Sequence, residues 1–280
     1  MEIGDVGGLG TYPRRLREPA GSSQRSGKPG AADRRELTAL LVAADRRGPL
    51  SSPIGVDAAG QTTWLDLSRP ASRHVLVEGG ASSARSEVLR SIAIGLAMTT
   101  RPASLQILAI DTTGRELSVL QTVPHAVTET ANDAASAQVS LMWLAAELRD
   151  RVQEGRCWPE MVLVIDDLLQ LVGAECARGR AALTGILRSG GALGIHVLAA
   201  IAEPRSGLRS AGWSGTEVAR VILEEGGESL EYVCAGVEKR LTGVSVSAVD
   251  LDRIARGWRP NGRAFSIRRG PPPSPWSQTS

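Results

Sequence analysis

Apolar residues recur along this chain as short unbroken blocks separated by amphipathic stretches. The blocks at 74–78 (HVLVE), 105–111 (LQILAID), 161–167 (MVLVIDD) and 195–201 (IHVLAAI) each read as a strand buried on both faces. Helical periodicity fills 86–98, 133–153 and 181–189, the second with Val139, Met142, Leu144 and Leu148 on one side. Upstream, 36–44 reads as a short helix, and 53–57 and 62–66 flank Ala58, Ala59 and Gly60 as a hairpin. Past residue 204 the pattern weakens, and 218–223 and 264–268 read as strands at the sheet edge. No internal repeat is visible. Strands alternating with helices predict an α/β fold built on a mostly parallel central sheet covered on both faces.

The two ends lack this pattern. Residues 1–33 are rich in Gly, Pro, Ser and Arg with no apolar period, and read as a disordered basic arm, either a solvated tail or an arm touching nucleic acid. Residues 271–280 read as a second disordered tail, which leaves 34–270 as the folded domain. Aromatics are only 3% of the chain, with one Phe, so the core must be built from Leu, Val, Ile and Ala. A net charge of +2 is too small to argue for nucleic acid by itself. Cys157, Cys176 and Cys234 form no C-x-x-C pair, which suggests a reducing compartment and no structural zinc. No apolar run approaches the ~18 residues of a membrane span, and no signal-peptide core opens the chain. The chain reads as cytoplasmic, reaching a membrane only through a partner.

Candidate chemistry sits at the ends of the apolar blocks. Between the strand at 74–78 and the following helix lies the loop Gly79, Gly80, Ala81, Ser82, Ser83, Ala84, Arg85, Ser86. An intact phosphate-binding loop reads G-x-x-x-x-G-K-[ST], with backbone N–H groups cradling phosphate and the Lys reaching its terminal groups. Gly79 and Ser86 keep that register; Ala84 stands at the second Gly and Arg85 at the Lys. Lys28 and Lys239 are the only lysines, so no realignment supplies another. Taken alone, the segment is equally a tight strand–helix connection. The strand at 161–165, expected beside the strand at 74–78 in the centre of the sheet, then ends in Asp166 and Asp167, the Walker B arrangement. In that arrangement the first carboxylate would hold Mg²⁺ through water, beside the loop hydroxyl of Ser86, and the second would polarise the attacking water. The alternative is that Asp167 caps the helix that follows. Asp111 reads as a third polar group at that edge or as another cap. His125 and His196 have no acidic pair at ligand spacing and read as structural hydrogen-bonding groups, and no G-x-S-x-G marks a serine hydrolase.

Five segments in order resemble the motor domain of the FtsK/SpoIIIE family, hexameric P-loop pumps of RecA-like fold that move double-stranded DNA. PIGVDAAGQTTWLDLSRPASRHVLVEGG is similar to the family's P-L-G-x-D lead-in and H-L-L-V-x-G strand. DTTGRELSVLQTVPHAV is similar to its D-P-K-x-x-E-L segment, and WLAAELRDR to its W-x-x-x-E-M-x-x-R helix. MVLVIDDLLQLV looks like its Walker B strand and LGIHVLAAIAEP its last core strand. The resemblance implies a RecA-like P-loop NTPase sandwich, ATP and Mg²⁺ as cofactors if the site works, and double-stranded DNA or a translocated protein as cargo. It implies assembly with further copies or with an intact relative. The same ATPase type drives type VII secretion.

Departures cluster in the implied nucleotide pocket. The loop Lys aligns on Arg85, its Gly on Ala84, the mid-loop Gly on Ser82 and the Walker B Glu on Asp167. The phosphate-sensing Gln aligns on Ala202, the D-P-K Lys on Thr113, and the Arg before G-I-H on Gly191. Arg is a wide planar fork and does not simply replace a compact buried ammonium. The resemblance with these losses reads as a degenerate ATPase module that binds DNA or a protein partner within a motor. An active translocase with Arg85 doing the work of Lys, and a degenerate secretion-type ATPase domain docking protein, are the alternatives. Arg188, Arg205 and Arg209 are available as an arginine finger, and no spacing selects one.

Overall fold

The structure is a computed structural model describing residues 35–43, 48–112, 116–171, 177–202, 213, 217–225, 227–247 and 250–251. By internal contacts the chain divides into 1–31 and 32–280, and every described residue lies in the second unit. The expected arm at 1–33, the tail at 271–280 and the expected strand at 264–268 lie outside the described residues.

The strands in chain order are β1 (Arg35–Glu36), β2 (Ser51–Val56), β3 (Thr62–Asp66), β4 (His74–Gly79) and β5 (Leu105–Ile110). They continue with β6 (Glu160–Ile165), β7 (Ile195–Ile201), β8 (Val218–Leu223), β9 (Ser229–Cys234) and β10 (Val237–Ser245). The helices are α1 (Leu37–Ala43), α2 (Ser82–Thr99), α3 (Ala134–Glu154) and α4 (Ala177–Ser189). One sheet runs β3-β2-β10-β9-β8-β4-β7-β6-β5, with β1 parallel to β10. From β8 to β5 every pairing is parallel; from β8 to β3 every pairing is antiparallel.

The alternation of side chains along the parallel strands assigns the two faces. Val75, Val77, Ile107, Val162, Val164 and Leu198 pack on the α2 side with Leu89, Ile92 and Leu96. Leu76, Leu108, Leu163, Ile165, Val197 and Ala199 face α3 and α4 through Leu141, Leu144, Leu183 and Ile186. This is the predicted two-sided burial of an α/β sheet.

Four expectations need correction. The strand at 218–223 is not an edge: β8 lies between β9 and β4. The hairpin of β9 and β10, whose strand pattern polar residues interrupt along the chain, extends the sheet beyond β8. β4 and β6 are not neighbours, because β7 returns between them; apolar strands of similar composition carry no record of their order. α2 begins at Ser82 rather than Ser86, so the helix takes in most of the expected loop. On α3 the buried stripe is Ala137, Leu141, Leu144, Leu148 and Arg151, whereas Val139 and Met142 are 53% and 41% exposed. A small residue and a charged one mark the ends of the true stripe, which hides it from a count of large apolar side chains.

Local signals set the helix ends. Asp133 caps α3, its carboxylate accepting from the Ser136 N–H at 2.7 Å while the Ser136 hydroxyl accepts from the Asp133 N–H at 3.3 Å. Gly155 ends α3 with φ of 66°. α2 crosses β2 closely at Gly95, where a Cβ would lie 2.1 Å from Ser52 Oγ and 3.0 Å from Ser52 Cβ. Gly95→Ala therefore lowers stability, by about 1–3 kcal/mol, despite the better helix propensity of Ala. Urea unfolding checks this, and Ser52→Gly in the same chain recovers most of the loss.

Candidate nucleotide and metal site

The C-terminal ends of β4, β5, β6 and β7 form the edge where parallel sheets hold their ligands. β4 runs out at Gly79, whose N–H donates to the Ala202 carbonyl at 3.2 Å just past β7. Gly79 and Gly80 both lie in the left-handed region, at φ of 74° and 59°. A Cβ on Gly79 would meet the Leu223 carbonyl oxygen at 2.8 Å, and one on Gly80 the Leu223 Cβ at 2.9 Å, so only glycine fits at either position. Ala81 is the N-cap of α2 and offers no side-chain cap. Ser82, Ser83 and Ala84 form the first helical turn, and the N–H groups of Ala84 and Arg85 both donate to the Ala81 carbonyl at 3.1 Å.

Arg85 folds back over this junction. Its Nη1 donates to the Gly79 carbonyl at 3.0 Å and to the Gly80 carbonyl at 2.7 Å, and the residue is only 8% exposed. One residue on, the Ser86 hydroxyl donates to Asp166 Oδ1 at 2.5 Å and lies 3.0 Å from the Ser82 carbonyl. Asp166 is buried where β6 ends. Ser86 and Asp166, the expected metal pair, are thus brought together and bonded to each other directly.

The remaining acids are engaged locally. Asp167 accepts from the Leu169 N–H at 2.9 Å and caps the short helix Leu168–Leu171. Asp111, buried at the end of β5, accepts from the Leu117 N–H at 3.0 Å. His125 lies 2.8 Å from the Thr100 carbonyl, and burial pushes its pKa down. His196 lies 2.8 Å from the Arg73 carbonyl and 3.0 Å from Glu160. Both histidines hold structural hydrogen bonds, as expected. At the sensor position, the backbone of Ala202 contacts the loop. Arg188 is exposed on the last turn of α4; Thr113, Arg205 and Arg209 lie outside the described residues.

One pair at this edge adds to the residues expected from the sequence. Glu78, buried within β4, accepts two bonds of 2.6 Å from Nε and Nη2 of Arg220 on β8, and these bonds raise the guanidinium pKa. The available signal was a carboxylate inside an apolar strand, which requires a partner when buried.

These residues do not fit ATP with Mg²⁺. A phosphate cradle presents N–H groups to the anion. Here two N–H groups are committed to the Ala81 carbonyl, two carbonyl oxygens turn toward the loop's own guanidinium, and the hydroxyl and carboxylate that share a metal are bonded to each other.

A sheet whose strand–glycine–helix junction meets a buried aspartate at the end of a parallel strand two places away defines the P-loop NTPase class of proteins. Residues 41–156 match the FtsK/SpoIIIE family. Over that segment the chain is similar to FtsK/SpoIIIE-type ATPase domains. It is 25% identical over 193 residues to the DNA translocase SftA of Bacillus subtilis, a match covering 61% of this chain and 20% of that protein. To the DNA translocase FtsK of Lactiplantibacillus plantarum it is 24% identical over 253 residues, covering 74% of this chain and 32% of that one. Among solved structures, the cytoplasmic domain of the type VII secretion ATPase EccC of Thermomonospora curvata shares the fold. That match has a TM-score of 0.69 at 19% identity and covers 86% of this chain and 36% of that one. The chain thus spans a fifth to about a third of the length of these curated relatives. Among the described residues no helix is long and apolar enough to cross a membrane.

Proposed function

We propose that this chain is an FtsK/SpoIIIE-type module that does not turn over ATP and serves as a structural subunit of a motor assembly acting on double-stranded DNA. The observation that carries this reading is the start of α2 at Ser82. With the helix beginning there, only Gly80 and Ala81 separate it from β4, too little chain to wrap a triphosphate. Arg85 in place of Lys, and Ala202 in place of the sensing Gln, act in the same direction. Removal of one positioned electrostatic group commonly lowers a rate by ~10²–10³, so several losses together bring turnover to background. DNA is favoured as cargo because the sequence relatives are DNA translocases. A translocated protein is the second reading, favoured by the extent of the likeness to EccC, whose ATPases 2 and 3 form a complex with a signal sequence peptide.

The test is steady-state ATP hydrolysis with Mg²⁺, with and without double-stranded DNA, beside an Asp166→Ala variant. Equal background rates in all arms are expected. DNA-stimulated hydrolysis that disappears in Asp166→Ala overturns the reading in favour of an active translocase.

A further inference from the structure

The polarity of the β4–α2 junction is reversed relative to an anion site. Backbone N–H groups pointing inward attract phosphate. In this chain the left-handed conformations of Gly79 and Gly80 turn their carbonyl oxygens to one guanidinium nitrogen, at 3.0 and 2.7 Å. Converging carbonyls form a site for a cation. We propose that the junction is a cation clamp whose permanent occupant is Arg85, so that the loop is held ordered by the chain itself, without nucleotide or Mg²⁺. This deepens the reading above and rests on it.

Three features support the clamp. The guanidinium is tethered five to six residues from the carbonyls it holds, so its effective concentration exceeds that of any free cation. The residue is only 8% exposed, so solvent competes little for the two carbonyls. Beside it, the Ser86–Asp166 hydrogen bond closes the adjoining metal position from within, at 2.5 Å. The fit is not perfect, because Arg85 Nε is buried without a partner among the described residues. A wide planar head has been drawn into a place served by a single nitrogen. A Lys at 85 can therefore hold the same two carbonyls, and charge rather than the guanidinium shape is what the clamp needs. An arriving phosphate meets two carbonyl oxygens and must displace the tethered cation to reach any N–H.

The test is hydrogen–deuterium exchange of the full chain, read on peptides covering 79–86, with β6 and β7 peptides as internal controls. In the wild type, slow exchange is expected in that segment, unchanged by ATP with Mg²⁺ or by EDTA. In Arg85→Met the segment exchanges roughly tenfold faster or more while β6 and β7 are unaffected; Arg85→Lys retains wild-type protection. Unchanged exchange in Arg85→Met, or loss of protection in Arg85→Lys, overturns the clamp. A tenfold slowing of wild-type exchange by ATP with Mg²⁺ also overturns it, and that arm needs no variant to fold. These outcomes differ from those that decide the functional reading: a loop indifferent to Arg85→Met with no ATP turnover sinks the clamp alone. DNA-stimulated turnover in the wild type sinks the functional reading first.

Discussion

Arg151→Met is expected to destabilise the domain by about 3–5 kcal/mol, the range for removing one partner of a buried ion pair. For a domain of this size that lowers Tm by roughly 6–20 °C. The side chain is fully buried on α3. Its Nε donates to Glu147 at 2.8 Å, Nη1 to the Leu193 carbonyl at 2.6 Å and Nη2 to the Pro159 carbonyl at 2.5 Å. It thus ties α3 to the chain entering β6 and to the turn entering β7. Glu147 also accepts from Arg156 at 2.6 Å. Burial raises the Glu147 pKa, and the bonds from Arg156 and Arg151 outweigh that and hold it below the usual carboxylate value. Urea unfolding of wild type, Arg151→Met and Arg151→Lys measures the loss. The Lys variant recovers little, because one ammonium cannot reach carbonyls on two segments and a carboxylate at once. A loss under about 1 kcal/mol would show that the network is dispensable.

The second large effect is loss of stability in acid. His74, on β4, is fully buried, and its Nδ1 accepts from the Val197 N–H at 3.1 Å. Burial, with smaller contributions from His196 and Arg73, lowers its pKa from 6.5 to about 3. Folding therefore keeps the imidazole neutral, while the unfolded chain takes up a proton near pH 6.5. The stability present above that pH is lost as pH falls from 6.5 toward 3, by up to ~1.4 kcal/mol per pH unit. His125, also lowered by burial, adds to the slope in the same direction. His74→Asn keeps an acceptor for the Val197 N–H without a titrating ring. Its urea midpoint at pH 5 relative to pH 7.5 should fall less than that of the wild type. Equal slopes in both proteins would place the acid sensitivity elsewhere.

The parallel half of the sheet was readable because four apolar blocks have strand length and end in turns or acids. The antiparallel half was only half readable. β9 (SLEYVC) and β10 (VEKRLTGVS) interleave charge with apolar residues, since their polar positions face outward. The positions of Gly79, Ser86 and Asp166 along the chain foretold that they meet. What each does there was not foretold, because the outcome turned on a backbone choice. Ser82–Ser83–Ala84 can form a loop or a first helical turn, and with alanine at 84 in place of glycine helix is the cheaper state. Once the turn winds, Arg85 lies on the loop side, and among the described residues its acceptors are the two glycine carbonyls. The W-x-x-x-E-x-x-x-R spacing of Trp143, Glu147 and Arg151 was legible as a motif, and its meaning as a tie between three segments needed the fold.

The position of β4 fixes when the domain can form. His74 on this strand pairs with Val197 on one side and Val218 on the other. The strand thus has no hydrogen-bonded neighbour until more than a hundred further residues have been made. At ribosomal speeds of ~5–20 residues per second, HVLVEG waits for several seconds with both edges open. Strand pairings this distant in sequence also slow the search for the native topology. A chaperone that shields extended apolar segments has its window there, before β7 and β8 emerge, and a chain cut short after β6 leaves its central strand permanently unpaired.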